Sequence, residues 1–347
     1  MKKKIGIITY HNVLNYGAYL QVYSLQNFLK KKDYEVEIIN YKSPRFIINE
    51  FRSLFSKNLI KSFCQFINYL KFFFYRKKIN KSNFFIRKNK IPYSKYDLII
   101  FGSDEIWNYK NPLIGYDEFY FGNNCKTKKI SYAVSFGTIE NIEKDKNEII
   151  SNLNNFQSIT VRDINSKNII ENEIKRKTEI VLDPVLIYDF KDEIDKEKEY
   201  KNLKNQIVVY GHHFKNEEVK KICKYAKLNN KKLVSLGYYH KWCDFNYPFI
   251  KPFELLKIFI NSSCVFTNMF HGAIFSIKFD VSFYLLFDEY RNNKLDYLTQ
   301  LFNLKKVSIK DEFNIQNLNN TKIKNIILKK KISISKQFLI DQINEIF

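Results

Sequence analysis

The first forty residues restrict the fold more than any other part of this chain. Residues 5–9 are an apolar run of strand length. Residues 17–32 repeat apolar side chains at helical spacing (Leu20, Tyr23, Leu25, Phe28, Leu29), and residues 36–40 are a second strand-length run. A strand, a helix and another strand in this order open a parallel sheet. The rhythm continues: short apolar runs at 97–102, 129–134, 158–161 and 179–182 each end in polar residues or glycine, as strands of a doubly wound sheet do. After a charged stretch, a second series runs through a strand at 207–210, a helix at 219–228, a strand at 232–236, a helix at 252–261 and a strand at 264–267. The pattern predicts an α/β protein with a first domain over 1–188, a linker over 189–205, a second domain over 206–335 and a helix over 336–347 that returns to the first domain.

Residues 42–90 break the rhythm. They hold 13 Lys or Arg against one acid, Glu50, and space apolar residues from Phe51 to Phe74 as a helix would. One or two basic, aromatic-rich helices are expected here as an insertion. One reading is a hairpin packed on its domain with solvated charges. The other is a surface that touches an anionic membrane or a lipid-linked substrate. Over all 347 residues, 58 Lys and Arg stand against 36 Asp and Glu, a net charge of +22. That excess suits acidic partners, although an AT-rich genome would give the same Lys, Asn, Ile and Phe bias without function. Five scattered cysteines lack metal-binding spacing, so no zinc site is expected and a reducing compartment is. The apolar run near the N-terminus is too short for a signal peptide, and no run reaches the roughly 18 apolar residues of a membrane span. The expected location is cytoplasmic, with peripheral contact at the inner membrane face as an extension.

The chemistry concentrates at predicted strand ends. Thr267-Asn268-Met269-Phe270-His271-Gly272 puts a histidine where a buried strand meets a helix, the place where open α/β sheets hold ligands. The free N–H groups and positive dipole end of that helix suit an anion. The same helix end favours a neutral imidazole, and an arriving anion favours the charged one. Arg162 follows a buried strand and needs an anion, either a substrate carboxylate or phosphate or a structural acid such as Asp163. Arg291, twenty residues after His271, is placed to close the same anion site or to pair with Asp288 or Glu289. Asn15, Tyr16 and Gly17 form the first strand-to-helix turn and read either as ligand contacts or as an ordinary turn. Ser103, Asp104 and Trp107 offer a hydroxyl, a carboxylate for sugar hydroxyls and a ring for a pyranose face. Alternatively, Asp104 caps a helix and Trp107 is core. No G-x-G-x-x-G or Walker motif supports a dinucleotide or NTP site.

Taken in register, these stretches resemble the polysaccharide pyruvyl transferase family. The resemblance rests on residues 6–12, 15–21, 102–108, Tyr132-Ala133-Val134-Ser135-Phe136-Gly137, Val161-Arg162-Asp163, residues 182–186 and residues 267–272. It reaches to about residue 304 and skips most of 42–90 and 187–250. It implies two Rossmann-like domains facing across a cleft, as in GT-B glycosyltransferases. It also implies transfer of pyruvate from phosphoenolpyruvate onto two hydroxyls of a saccharide, finished or lipid-linked, to make a cyclic ketal. By that likeness the essential basic residues fall on Arg162, His271 and Arg291, with Ser135, Asn268 and Gly272 in the substrate-binding stretches. Glu105 and Met269 depart from the family pattern, which bears on the acceptor more than on the reaction. Phosphoenolpyruvate is a substrate, so no cofactor is expected, and no metal is needed if the arginines carry the charge. Two other readings remain: a GT-B-type glycosyltransferase using a nucleotide sugar, and a non-catalytic carbohydrate- or nucleic-acid-binding protein. Nucleic acid is disfavoured, because no RNA-binding motif occurs and the basic residues concentrate in the insertion.

Overall fold

The computed structural model describes residues 2–55, 59–143, 145–286, 292–308, 313, 318–319 and 325–347. It divides into two compact units, Met1–Tyr188 with Lys331–Phe347, and Asp189–Lys330.

In the first unit, strands β1 (Lys4–Ile8), β2 (Glu35–Ile38), β3 (Leu98–Phe101) and β4 (Lys129–Ser131) form a parallel sheet in the order β2-β1-β3-β4. The short pair β5 (Thr160–Val161) and β6 (Glu179–Ile180) follows, tied to the β4 region by bridges at Ile130–Ser158 and Val134–Val161. Helix α1 (Tyr16–Lys30) buries Leu20, Val22, Leu25 and Leu29, the spacing that made it legible in sequence. Helices α2 (Pro44–Leu54) and α3 (Leu59–Tyr75) form the insertion, and α4 (Lys146–Asn154), α5 (Ile164–Ile169) and α6 (Pro184–Ile187) complete this part. The order reverses between β1 and β3, so the loops after these strands diverge and open a crevice at their carboxyl ends.

The second unit opens with α7 (Lys191–Asp195) and holds six parallel strands: β7 (Ile207–Tyr210), β8 (Leu233–Leu236), β9 (Phe245–Tyr247), β10 (Cys264–Thr267), β11 (Phe283–Leu286) and β12 (Lys306–Val307). Their order, β12-β11-β10-β7-β8-β9, is the doubly wound one, with its reversal between β7 and β10. Helices α8 (Asn216–Leu228), α9 (Pro252–Ile260), α10 (Phe270–Lys278) and α11 (Asn292–Phe302) connect them. Residues 189–205, expected as a linker, belong to this unit. Within them Phe190 and Ile194 are buried, and the Phe190 ring meets Phe253 and Phe279. The last helix, α12 (Asn325–Asn344), starts eleven residues before the expected 336, and its residues from Lys331 onward pack in the first unit.

Candidate functional site

At the carboxyl ends of β1 and β3, the first unit gathers a buried polar network. Thr9 Oγ1 donates to the Ser103 carbonyl at 2.6 Å, and Gln21 of α1 donates to Thr9 Oγ1 at 3.0 Å. Arg162, at the end of β5, is buried. Its Nη1 lies 3.1 Å from Asp183 Oδ2, and its Nη2 lies 3.3 Å from Asp104 Oδ1. Ser103 Oγ donates to the same Asp183 oxygen at 3.1 Å. Burial works against the Arg162 charge, but Asp104 and Asp183 more than offset it, so its pKa rises from its usual value. The partner is therefore a pair of acids and not Asp163, whose side chain instead caps α5 through the Ser166 N–H at 2.7 Å. Asp183 also caps α6, accepting from the Val185 N–H at 3.0 Å. Asp104 holds a positive φ of 88°, a left-handed backbone that Asp tolerates better than most residues.

The other first-unit candidates make contacts within the unit. Asn15 caps α1, accepting from the Ala18 N–H at 3.1 Å. Tyr16 is buried edge-on against Phe72, 5.0 Å between centroids, and Gly17 is buried in the first turn of α1. Ser135 Oγ accepts from the Gly137 N–H at 2.9 Å. Trp107 is fully buried, its Nε1 donates to the Tyr120 carbonyl at 3.0 Å, and its ring packs on Phe136. It is core, with no ring face open to solvent.

His11 lies in the loop after β1 and is buried. Its Nδ1 meets the Thr9 carbonyl at 3.1 Å, and the Asn12 amide approaches its Nε2 at 2.6 Å. The Asn40 Oδ1 oxygen lies 3.1 Å from the same Nε2. Burial pushes its pKa down to about 4, with Asn40 and Thr9 acting against the shift. Arg76, from the insertion, donates to the Asn12 carbonyl at 2.7 Å and so ties α3 to this loop.

In the second unit, Asn268 and His271 sit at the end of β10, beside the loop after β7. His271 is buried in the first turn of α10. Thr267 Oγ1 accepts from the Met269 N–H at 3.1 Å, and a Cβ added at Gly272 would lie 2.0 Å from that oxygen. Glycine is thus what lets α10 start hard against its own strand. Asn268 Nδ2 donates to the His212 carbonyl at 2.5 Å, and a Cβ at Gly211 would lie 2.3 Å from Asn268 Oδ1. His240 Nε2 bonds the Gly211 carbonyl at 3.0 Å, and burial lowers its pKa. His212 packs on Tyr238 at 4.1 Å. The switch point therefore places Asn268 against the loop after β7, where His212 and His240 gather around Gly211. Gly211 directly after the 207–210 strand was the available sequence signal for this loop. Arg291 lies outside the described residues. Among the described residues, no group of three or more His, Cys, Asp or Glu is placed to hold a metal ion, and no helix is long and apolar enough to cross a membrane.

Two parallel α/β units, each with its polar residues at the carboxyl ends of its central strands, define a GT-B-like protein. The fold is shared with S. aureus MnaA solved with UDP, at 12% identity over 99% of this chain and 96% of that one, with a TM-score of 0.53. A putative UDP-N-acetylglucosamine 2-epimerase from Listeria monocytogenes gives 12% identity, 97% and 91% coverage and a TM-score of 0.52. A UDP-forming trehalose-phosphate synthase from Burkholderia xenovorans gives 8% identity, 100% and 99% coverage and a TM-score of 0.51. At such identities the likeness is one of fold alone. No curated protein sequence matches the chain. The match that carries function is to polysaccharide pyruvyl transferase over residues 15–286, and the chain belongs to that family.

Proposed function

We propose that this protein transfers pyruvate from phosphoenolpyruvate onto two hydroxyls of a saccharide, in a cell-surface polysaccharide or its lipid-linked precursor, and closes a cyclic ketal. Family membership supports a transferase acting on a saccharide. The observation that carries the finer reading is His271, in the first turn of α10 at the reversal point of the second sheet. In the proposed reaction a sugar hydroxyl adds to C2 of the enol while C3 takes a proton and becomes a methyl group. The hydroxyl loses its own proton as the C–O bond forms. We assign His271 to this proton transfer, an effect of roughly 10²–10⁴-fold. A second hydroxyl then attacks C2 and expels phosphate, which leaves with the remaining proton. The sum is one ketal and one inorganic phosphate.

Asn268 and Gly272 are assigned to shaping the His271 turn. Arg291 keeps its proposed role as an anion clamp. Arg162 is assigned differently: with its fork engaged by Asp104 and Asp183, it sets the position of those carboxylates, and Asp104 is the partly exposed one, suited to an acceptor hydroxyl. Free Cys125, Cys223, Cys243 and Cys264 agree with a reducing, cytoplasmic setting. The test is phosphate release from phosphoenolpyruvate across a panel of hexosides, with mass measurement of the product. Acceptor-dependent phosphate and a pyruvylated product are expected. Nucleotide release from a nucleotide sugar, with phosphoenolpyruvate untouched, would replace this reading by glycosyl transfer.

A further inference from the structure

The helical insertion turns its apolar side outward. On α2, Phe46 and Glu50 are buried, and Glu50 pairs with Lys42 at 2.5 Å. Ile48, Phe51 and Phe55 are exposed, with Arg45 and Arg52 exposed among them. On α3, Phe72 is buried, while Phe66, Leu70, Phe73 and Phe74 fall at i, i+4, i+7 and i+8 on the solvent side. Phe51, Phe55, Phe66, Phe73 and Phe74 are 62, 64, 50, 53 and 59% exposed. Among the described residues, nine of the sixteen large hydrophobic side chains left exposed fall between Ile48 and Ile86, so the exposure is concentrated and not scattered. The hairpin packs on its unit through Phe46 and Phe72 and leaves this stripe on the outer side. The rings also cluster: Phe51 and Phe55 are 4.9 Å apart, and the Lys77 ammonium lies 4.9 Å over Phe74 and 5.7 Å over Phe73.

We infer that α2 and α3 form a docking surface for an anionic lipid bilayer. The phenylalanines enter the boundary between headgroups and acyl chains, and Arg45, Arg52, Lys71 and Lys77 meet the lipid phosphates. Charge decides against a second copy of the chain. Glu50 is the one acid of residues 42–90 and it is buried, so two such faces would bring cation against cation. The inference does not depend on the reaction proposed above.

Flotation of the purified full chain with vesicles tests it, comparing phosphatidylcholine alone with phosphatidylcholine plus phosphatidylglycerol. Binding to the anionic vesicles only is expected, and it should weaken as salt rises. A Phe73→Ser/Phe74→Ser variant should keep the wild-type unfolding midpoint and bind about tenfold more weakly or worse. Lys71→Glu/Lys77→Glu should lose the anionic preference. Equal, negligible binding of the wild type to both vesicles would overturn the inference, as would binding that neither variant alters. Concentration-dependent dimers abolished by the Phe variant, without vesicle binding, would assign the face to a second copy instead.

Discussion

Arg162 and Asp183 are both held almost wholly away from water and form an ion pair at 3.1 Å. Arg162→Ala should therefore cost about 3–5 kcal/mol in denaturant unfolding, by leaving the buried Asp183 carboxylate without its cation. Wild-type stability in that variant would show that the pair is not structural. His271 makes the opposite prediction. His271→Ala should unfold near the wild-type midpoint yet lose roughly 10²–10⁴-fold in turnover, with the loss in kcat more than KM. A wild-type rate and pH profile would remove it from the chemistry. His11 adds a pH dependence. Its folded pKa of about 4 lies below the ordinary 6.5, so between these values the unfolded chain binds a proton that the native one does not. Stability should fall as pH drops from about 6.5 to about 4, by at most about 3.5 kcal/mol, and this contribution should be flat below that. Urea midpoints at several pH values, wild type against His11→Gln, measure it; equal acid sensitivity in both would exclude His11 as the source.

At the level of elements, the start of α10 leaves no room for a larger residue than the one present. Gly272→Ala should destabilise by about 1–3 kcal/mol, because the new methyl must displace Thr267. A thermal melt unchanged by that substitution would mean the strand and helix separate easily. This junction was readable in sequence because its strand, turn and helix are contiguous. The bond from His240 to Gly211 was not, since 29 residues separate the partners. Trp107 was ambiguous for another reason: an aromatic just after a strand looks alike in sequence whether its loop folds inward or out. Strands β9, β11 and β12 were missed, and the edge strands β9 and β12 are only three and two residues long. Their pairing comes from a single neighbour and not from their own pattern. The insertion was legible as basic helices. Which side of them faced water was not, because the same spacing serves a core or a membrane.

For the whole molecule, the informative fact is that the first unit is built from two separated pieces of chain. Leu339 and Ile343 of α12 are fully buried there, and Ser335 Oγ accepts from the Leu182 N–H at 3.0 Å. Leu339→Ala should cost about 2–5 kcal/mol, read from the unfolding of the first unit. An effect of a few tenths would mean that α12 is an accessory. The arrangement also sets a schedule during synthesis on the ribosome. Residues 189–330 form a continuous unit that can close as soon as it emerges. Residues 1–188 emerge first but must wait for 331–347, which at translation speeds of about 5–20 residues per second is a delay of roughly 8–30 s. Through that interval the nascent chain carries both the uncovered seat of α12 and the phenylalanine-rich hairpin, and it is then that the protein most needs a chaperone.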